Sequence, residues 1–268
     1  MSSFASLRLT TPRVPKHPFA PSALRVAAVG RLEGEACGFG IYLGDMFRTE
    51  PITGADLPDG SLVLTYDDGP GPNTLAVAEY LSGMGIEATF FVVGQFADKQ
   101  PEVLGRMRAL GHRLGNHTWT HEIGGVTGQL ERGGDIVDEL TRTAALLDGA
   151  KEPIAFRPPW GSWNPRVATT LNADELLNAG HVGPINWAID CQDWAAWRDG
   201  DDPRDVATRY RVHASTMKKG IVLMHDYTAD IPFIAERNRS AELTRALVPM
   251  LIADGFRLVP LGDVSIPA

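Results

Sequence analysis

Ser61-Leu62-Val63-Leu64-Thr65-Tyr66-Asp67-Asp68-Gly69-Pro70 is a short apolar and β-branched run that ends in two carboxylates and a Gly-Pro turn. It describes a buried strand feeding a loop. A helical stretch follows at 74–82, where Leu75, Ala78 and Leu81 share one face. The same alternation continues down the chain. A second strand is expected at 88–94 (A-T-F-F-V-V-G), then a helix opened by Pro101, with Val103, Met107 and Leu110 at i, i+4 and i+7, and closed by Gly111. Further strands are expected at 112–118, 153–157, 184–190, 221–225 and 256–260. Helices between them are expected at 135–147, at 165–178, from Pro203 onward and at 241–253. Seven short strands joined by helical crossovers are the pattern of parallel βα units, and seven such units predict a closed or nearly closed α/β barrel.

Outward from this series, composition narrows the function classes. At about 150 residues per domain, 268 residues correspond to one barrel plus an extension. Hydrophobic residues at 44% and charged residues at 22% are ordinary globular values, and no apolar run approaches the roughly 18 residues of a membrane span. The net charge of -8 argues against nucleic acid as a partner. Charge is also segregated. The first 32 residues carry Arg8, Arg13, Lys16, Arg25 and Arg31 and no acid, which leaves 20 basic against 33 acidic residues in 33–268. This stretch reads as a poorly ordered basic arm and lacks the apolar core of a signal peptide. The default expectation is therefore cytoplasmic, or extracytoplasmic or organellar if the arm is a targeting segment.

Residues 33–58 are expected to add loops and one short strand near 39–43, so that 1–58 form an N-terminal extension and 59–268 the barrel domain. G-F-G-I-Y-L-G at 38–44 does not fit a dinucleotide loop, since it fails the spacing and lacks a strand–turn–helix frame. Cys37 and Cys191, without a C-x-x-C pair, exclude a disulfide framework and a cysteine-rich zinc module; whether the two pair is left open.

In parallel barrels the loops at the C-terminal strand ends carry function. Here Asp67 and Asp68 end the first expected strand, and His117 ends the third with His121 four residues on. Arg157 ends the fourth, Asp190 and Asp193 follow the fifth, and His225 ends the sixth. Each alone has a structural explanation as a cap, a turn or a surface charge. Together they supply one hydrolytic site. Asp68, His117 and His121 form a three-ligand set that leaves positions open for water and substrate, and a cation held there lowers the pKa of its water toward about 7. Asp67 is adjacent to take the proton, an arginine beside it holds its pKa down, and His225 can protonate a leaving amine. A two-histidine, one-carboxylate iron oxygenase would share the ligand set but leave Asp67, Arg157 and His225 without a task.

Five segments, in order, resemble the motifs of the polysaccharide deacetylases that share the NodB homology domain, also called carbohydrate esterase family 4. They are Thr65-Tyr66-Asp67-Asp68-Gly69-Pro70, His117-Thr118-Trp119-Thr120-His121, Arg157-Pro158-Pro159-Trp160-Gly161, Asp190-Cys191-Gln192-Asp193-Trp194 and Leu223-Met224-His225. The similarity runs from about residue 60 to 262. Tyr66 departs from a common phenylalanine and Trp160 from a common tyrosine. The resemblance implies a distorted (β/α)7 barrel with a short N-terminal extension. It implies Asp67 as base, Asp68, His117 and His121 as ligands of one divalent metal (usually Zn2+, with Co2+ or Ni2+ as alternatives), and Arg157 as the group orienting Asp67. It further implies the Trp160 backbone N–H as an oxyanion donor, His225 as general acid tuned by Asp193, and Leu223 with Trp194 lining a pocket for the acetyl methyl group.

The implied reaction removes N-acetyl groups from N-acetylglucosamine residues of a chitin-like, peptidoglycan or exopolysaccharide substrate. An acetylxylan-type ester substrate, a non-sugar amide and a non-catalytic carbohydrate-binding relative are the alternatives. The tryptophans 119, 160, 163, 187, 194 and 197 all lie in or beside these segments. Trp163 and Trp197 are the leading candidates to stack on a sugar ring, ahead of Trp187 in the middle of an expected strand.

Overall fold

Parity along the first expected strand sets the architecture. Leu62, Leu64 and Tyr66 pack outward against a helical layer that includes Val77, Leu81, Leu243 and Leu247, while Val63 packs inward with Phe91, Ile185 and Ile221. The computed structural model describes residues 45–147 and 152–264. The basic arm, the strand expected at 39–43 and Cys37 lie outside the described residues.

The strands are β1 (Phe47–Ile52), β2 (Ser61–Asp67), β3 (Thr89–Val92), β4 (Arg113–Asn116), β5 (Ile154–Ala155), β6 (His181–Ile185), β7 (Gly220–His225) and β8 (Arg257–Leu258). All their pairings are parallel. One sheet runs β4-β3-β2-β7 and the other β1-β6-β5. Parallel bridges between Asn116 and Phe156 and between Ile189 and Val222 join them, and the Ile221 N–H donates to Thr53 O just beyond β1. The ring is thus closed, but distorted. β3 pairs with β2 only over Thr65–Asp67, and β8 occupies the other end of that edge at Ser61 and Leu62.

β1 corrects the expected boundary at 58/59. The segment 47–52 lies in the stretch expected to stand outside the barrel, yet Phe47 pairs with Gly183 and Ile52 with Ile185. Its sequence, F-R-T-E-P-I, hides the strand because only its two ends are buried. Phe47 is inserted among Phe156, Trp163 and His181.

Two other expectations shift. The single helix expected at 165–178 divides into Pro165–Asn172 and Glu175–Gly180, because the Asp174 side chain accepts from the N–H groups of Leu176 and Leu177 and starts a second helix. The strand expected at 184–190 lies earlier, at His181–Ile185, and contributes only the Ile189 bridge farther on. Short helices not anticipated, Gly94–Ala97, Gly125–Glu131, Asp193–Asp199 and Pro232–Ala235, sit in the connecting segments. No helix among the described residues is long and apolar enough to cross a membrane.

Candidate active site

The inward parity of β2 and β7 delivers two of the expected groups to one point. Val63, Thr65 and Asp67 pair in register with Ile221, Leu223 and His225, so that Asp67 and His225 stand side by side where both strands end. Asp68, the next residue, takes a left-handed conformation (φ 75°), which turns its carboxylate toward the same mouth. Five of the six non-glycine residues with positive φ among the described residues lie in these loops: Asp68, Thr118, His121, Trp160 and Gln192. Such backbone conformations persist only where the surroundings over-determine them.

His117 and His121 are held by the loop after β4. Glu139, buried on the helix Ile136–Leu147, accepts from the N–H groups of Trp119 and Thr120 at 2.8 Å each and from the Thr120 hydroxyl at 2.9 Å. Asn116 accepts from the Thr118 N–H at 3.0 Å. The His117 Nδ1–H donates to Arg157 O at 2.7 Å and the His121 Nδ1–H to Asp230 Oδ2 at 2.8 Å. Both Nε2 atoms are thereby left to face Asp68 Oδ1, at 3.5 and 3.3 Å. Burial alone would raise the Asp68 carboxyl, but the two imidazoles hold it well below the usual carboxylate range. One ligand atom from each of Asp68, His117 and His121 lies within 4.8 Å of the others, all three residues buried. A hard carboxylate oxygen and two imidazole nitrogens, with both Nδ1 protons committed outward, fit a divalent metal ion with open positions.

Arg157 lies behind Asp67 and is completely buried. Its guanidinium donates to Asp67 Oδ1 at 2.6 Å, to Thr65 Oγ1 at 2.8 Å and to Ile185 O at 2.9 Å, and it stacks over the Phe91 ring at 4.1 Å. Oδ1 of Asp67 is occupied; Oδ2 is 3.7 Å from His117 Nε2. At the end of β7, the His225 Nδ1–H donates to Asp193 Oδ1 at 2.7 Å, and its backbone N–H to Asp193 Oδ2 at 2.8 Å. The His225 imidazole is pushed up to about 10. Burial by itself would lower it, and the Asp193 carboxylate, with Asp68 and Asp67, more than reverses that.

Asp67, Asp68, His117, His121, Trp160, Trp194, Leu223 and His225 all line one cavity of about 380 Å3. Arg157 and Asp193 stand behind it, each holding one of the lining groups. All ten expected site residues therefore come together. The expected sugar-stacking residues do not. Trp197 is buried in the core, and Trp163 packs on Phe47 and Phe156 while its indole N–H donates to Arg48 O at 2.8 Å. Trp187, ranked behind both in the sequence, instead lines the cavity with Trp160 and Trp194, because β6 ends at Ile185.

Asp190 also lines the cavity, and burial pushes its carboxyl up. Cys191 forms no disulfide with any described residue, and burial with the neighbouring Asp190 pushes its thiol up to about 12, which removes a cysteine nucleophile. Three residues of the site were not anticipated: Thr228, Asp230 and Ile231, on the loop after β7. Nothing in the pattern of an irregular loop marks them. Glu139 was also missed, as one acid in an amphipathic helix.

Known proteins similar to this chain are deacetylases. The family described as polysaccharide deacetylase matches residues 54–178. A chitooligosaccharide deacetylase of Sinorhizobium fredii is 32% identical over 220 residues, covering 79% of this chain and 94% of that protein. A peptidoglycan-N-acetylglucosamine deacetylase of Bacillus cereus is 28% identical over 205 residues, covering 76% of this chain and 87% of that protein. Among solved structures, the polysaccharide deacetylase Bc1974 from Bacillus cereus superposes with a TM-score of 0.60 at 24% identity, over 77% of this chain and 94% of that one, a likeness of fold. With a barrel of that fold and a relative matched over nearly its whole length, the chain belongs to the polysaccharide deacetylase family.

Proposed function

We propose that this protein hydrolyses the N-acetyl group of N-acetylglucosamine residues in an oligo- or polysaccharide, with one divalent ion, Zn2+ ahead of Co2+ or Ni2+, held by Asp68, His117 and His121. The observation that carries the proposal is the placement of Asp67 and His225 side by side, lining one cavity with that ligand set and each fixed by its own buried partner. The names of the relatives supply the substrate class. When bound, the metal acts as a Lewis acid that polarises the acetamide carbonyl and makes water available as a nucleophile near neutrality.

The remaining steps belong to the chain. Asp67 takes the proton of the attacking water on Oδ2, since Oδ1 is engaged by Arg157. The Trp160 backbone N–H, in a loop turned at φ 62°, serves as donor to the developing oxyanion. His225 delivers a proton from Nε2 to the departing amine, because Nδ1 is committed to Asp193. Leu223 and Trp194 bracket the acetyl methyl group in the apolar part of the cavity. The products are acetate and a free glucosamine amine. Asp193 keeps His225 protonated, and this favours an amide over an ester, since an amine leaves only with a proton whereas an ester's alkoxide depends on one less.

The test is acetate release from chitin oligomers and from N-acetylated peptidoglycan fragments, with enzyme stripped of metal and then reloaded with zinc or cobalt. Metal-dependent release is expected. Absence of release on every such substrate, from folded and metal-loaded protein, would overturn the proposal.

A further inference from the structure

The two histidines facing Asp68 are oriented in different ways. His117 gives its Nδ1 proton to the main-chain carbonyl of Arg157, a partner fixed by the sheet itself. His121 gives its proton to a side chain, Asp230 Oδ2 at 2.8 Å, which reaches it from the loop after β7, more than a hundred positions along the chain. His121 needs such a partner more than His117 does. It sits beyond the end of β4 on a loop residue with φ 55°, where no ladder hydrogen bond fixes the ring. The same loop makes a second contact with the ligand set, for the Ala229 N–H donates to Asp68 Oδ2 at 3.0 Å. Two adjacent residues of one loop thus hold two of the three ligands from outside. The loop is itself anchored, since Asn238 donates to His225 O at 3.0 Å and accepts from the Ser240 N–H at 2.9 Å.

From this geometry we infer that Asp230 is a positioning residue of the metal centre: its carboxylate fixes the tautomer and ring orientation of His121 and strengthens that imidazole as a ligand. The inference rests on the reading of Asp68, His117 and His121 as metal ligands. It does not depend on which sugar polymer is the substrate. Partners of this kind typically change metal affinity by roughly 10- to 100-fold. Asp230 also lines the cavity, so the competing role is direct contact with substrate. The two roles separate experimentally, because a positioning residue acts before substrate is present.

The experiment is competition for Zn2+ between a chromogenic chelator and the full-length protein, without substrate, for wild type, Asp230→Ala and Asp230→Asn. Thermal unfolding of the metal-free forms and KM and kcat at saturating Zn2+ accompany it. Asp230→Ala should bind Zn2+ about 10- to 100-fold more weakly. Asp230→Asn, which keeps an oxygen able to accept from His121 Nδ1–H, should recover part of that loss, and metal-free melting should be unchanged. Equal Zn2+ affinity in all three proteins overturns the inference, and equal affinity with a raised KM assigns Asp230 to the substrate instead. If the wild type itself binds no Zn2+, the metal reading fails along with it. If Zn2+ affinities rank as expected but no acetate is released, only the substrate reading fails.

Discussion

Replacing Asp193 with asparagine removes a charge from beside His225 while keeping the size of the side chain. The rise of His225 from 6.5 to about 10 corresponds to a preference of roughly 5 kcal/mol for the imidazolium. Burial works against that preference. Asp193 is the foremost support, through the 2.7 Å bond to Nδ1, and Asp68 and Asp67 add to it. A divalent cation on the proposed ligand Asp68 would cancel much of what Asp68 and Asp67 contribute and would leave Asp193 as the main support of the imidazolium. In Asp193→Asn, burial then prevails and His225 falls to or below its ordinary value near 6.5.

The assay is the pH dependence of kcat for acetate release at saturating metal. Wild type should hold its rate well above neutrality before an alkaline limb appears. The variant's limb should move to about pH 6.5, so that at pH 8, about 1.5 units above it, only about 3% of the acid stays protonated and the rate falls roughly 30-fold. A companion measurement is free of catalysis. In metal-free protein the raised His225 pKa gives stability that is fully present below pH 6.5 and is lost as pH rises toward 10, because the folded state then holds a proton the unfolded chain has released. Wild type should lose stability across that window more steeply than Asp193→Asn, which keeps the contribution of His121, also raised by its neighbouring carboxylates. Coincident alkaline limbs in the two proteins would refute the assignment of His225 as an acid tuned by Asp193.

Other substitutions separate the remaining roles. Asp68→Ala and His121→Ala should lose bound metal together with activity, whereas Asp67→Asn should keep metal and lose turnover; metal analysis beside acetate release checks this, and equal metal loss in all three contradicts the base assignment. Arg157→Met should cost about 3 to 5 kcal/mol in urea unfolding, because it strands a buried Asp67 charge. Arg157→Lys should recover little of that, since an ammonium cannot span Asp67, Thr65 and Ile185 at once. Glu139→Ala leaves the Trp119 and Thr120 N–H groups without their acceptor and should cost about 1 to 3 kcal/mol with weaker metal binding, read by unfolding and chelator competition.

The strand ends and their chemistry were legible because β2, β3 and β7 are nearly continuous apolar runs that stop at Asp67, Val92 and His225, so reactive side chains stand out where the pattern breaks. β1 was not legible, since a strand buried only at its ends, with Arg48, Thr49, Glu50 and Pro51 between, carries no periodicity to detect. The tryptophans show a different limit. Trp163 and Trp187 both lie close to motif residues in the sequence, and only the early end of β6 and the packing of Phe47 decide that one faces the cavity and the other the core. Asp230 and Glu139 act through single long-range hydrogen bonds or local clamps, which no spacing rule encodes.

The first stave of the barrel has a practical consequence. A chain trimmed to begin at Gly60, where the five-segment similarity starts, or at Gly54, where the family match starts, would retain every reactive group yet lose Phe47–Ile52. Strand His181–Ile185 would then show a bare edge, and the aromatic cluster of Phe156, Trp163 and His181 would lose its central ring. An unpaired parallel edge beside exposed aromatics invites self-association. Such a truncation should precipitate or inactivate although its catalytic complement is whole.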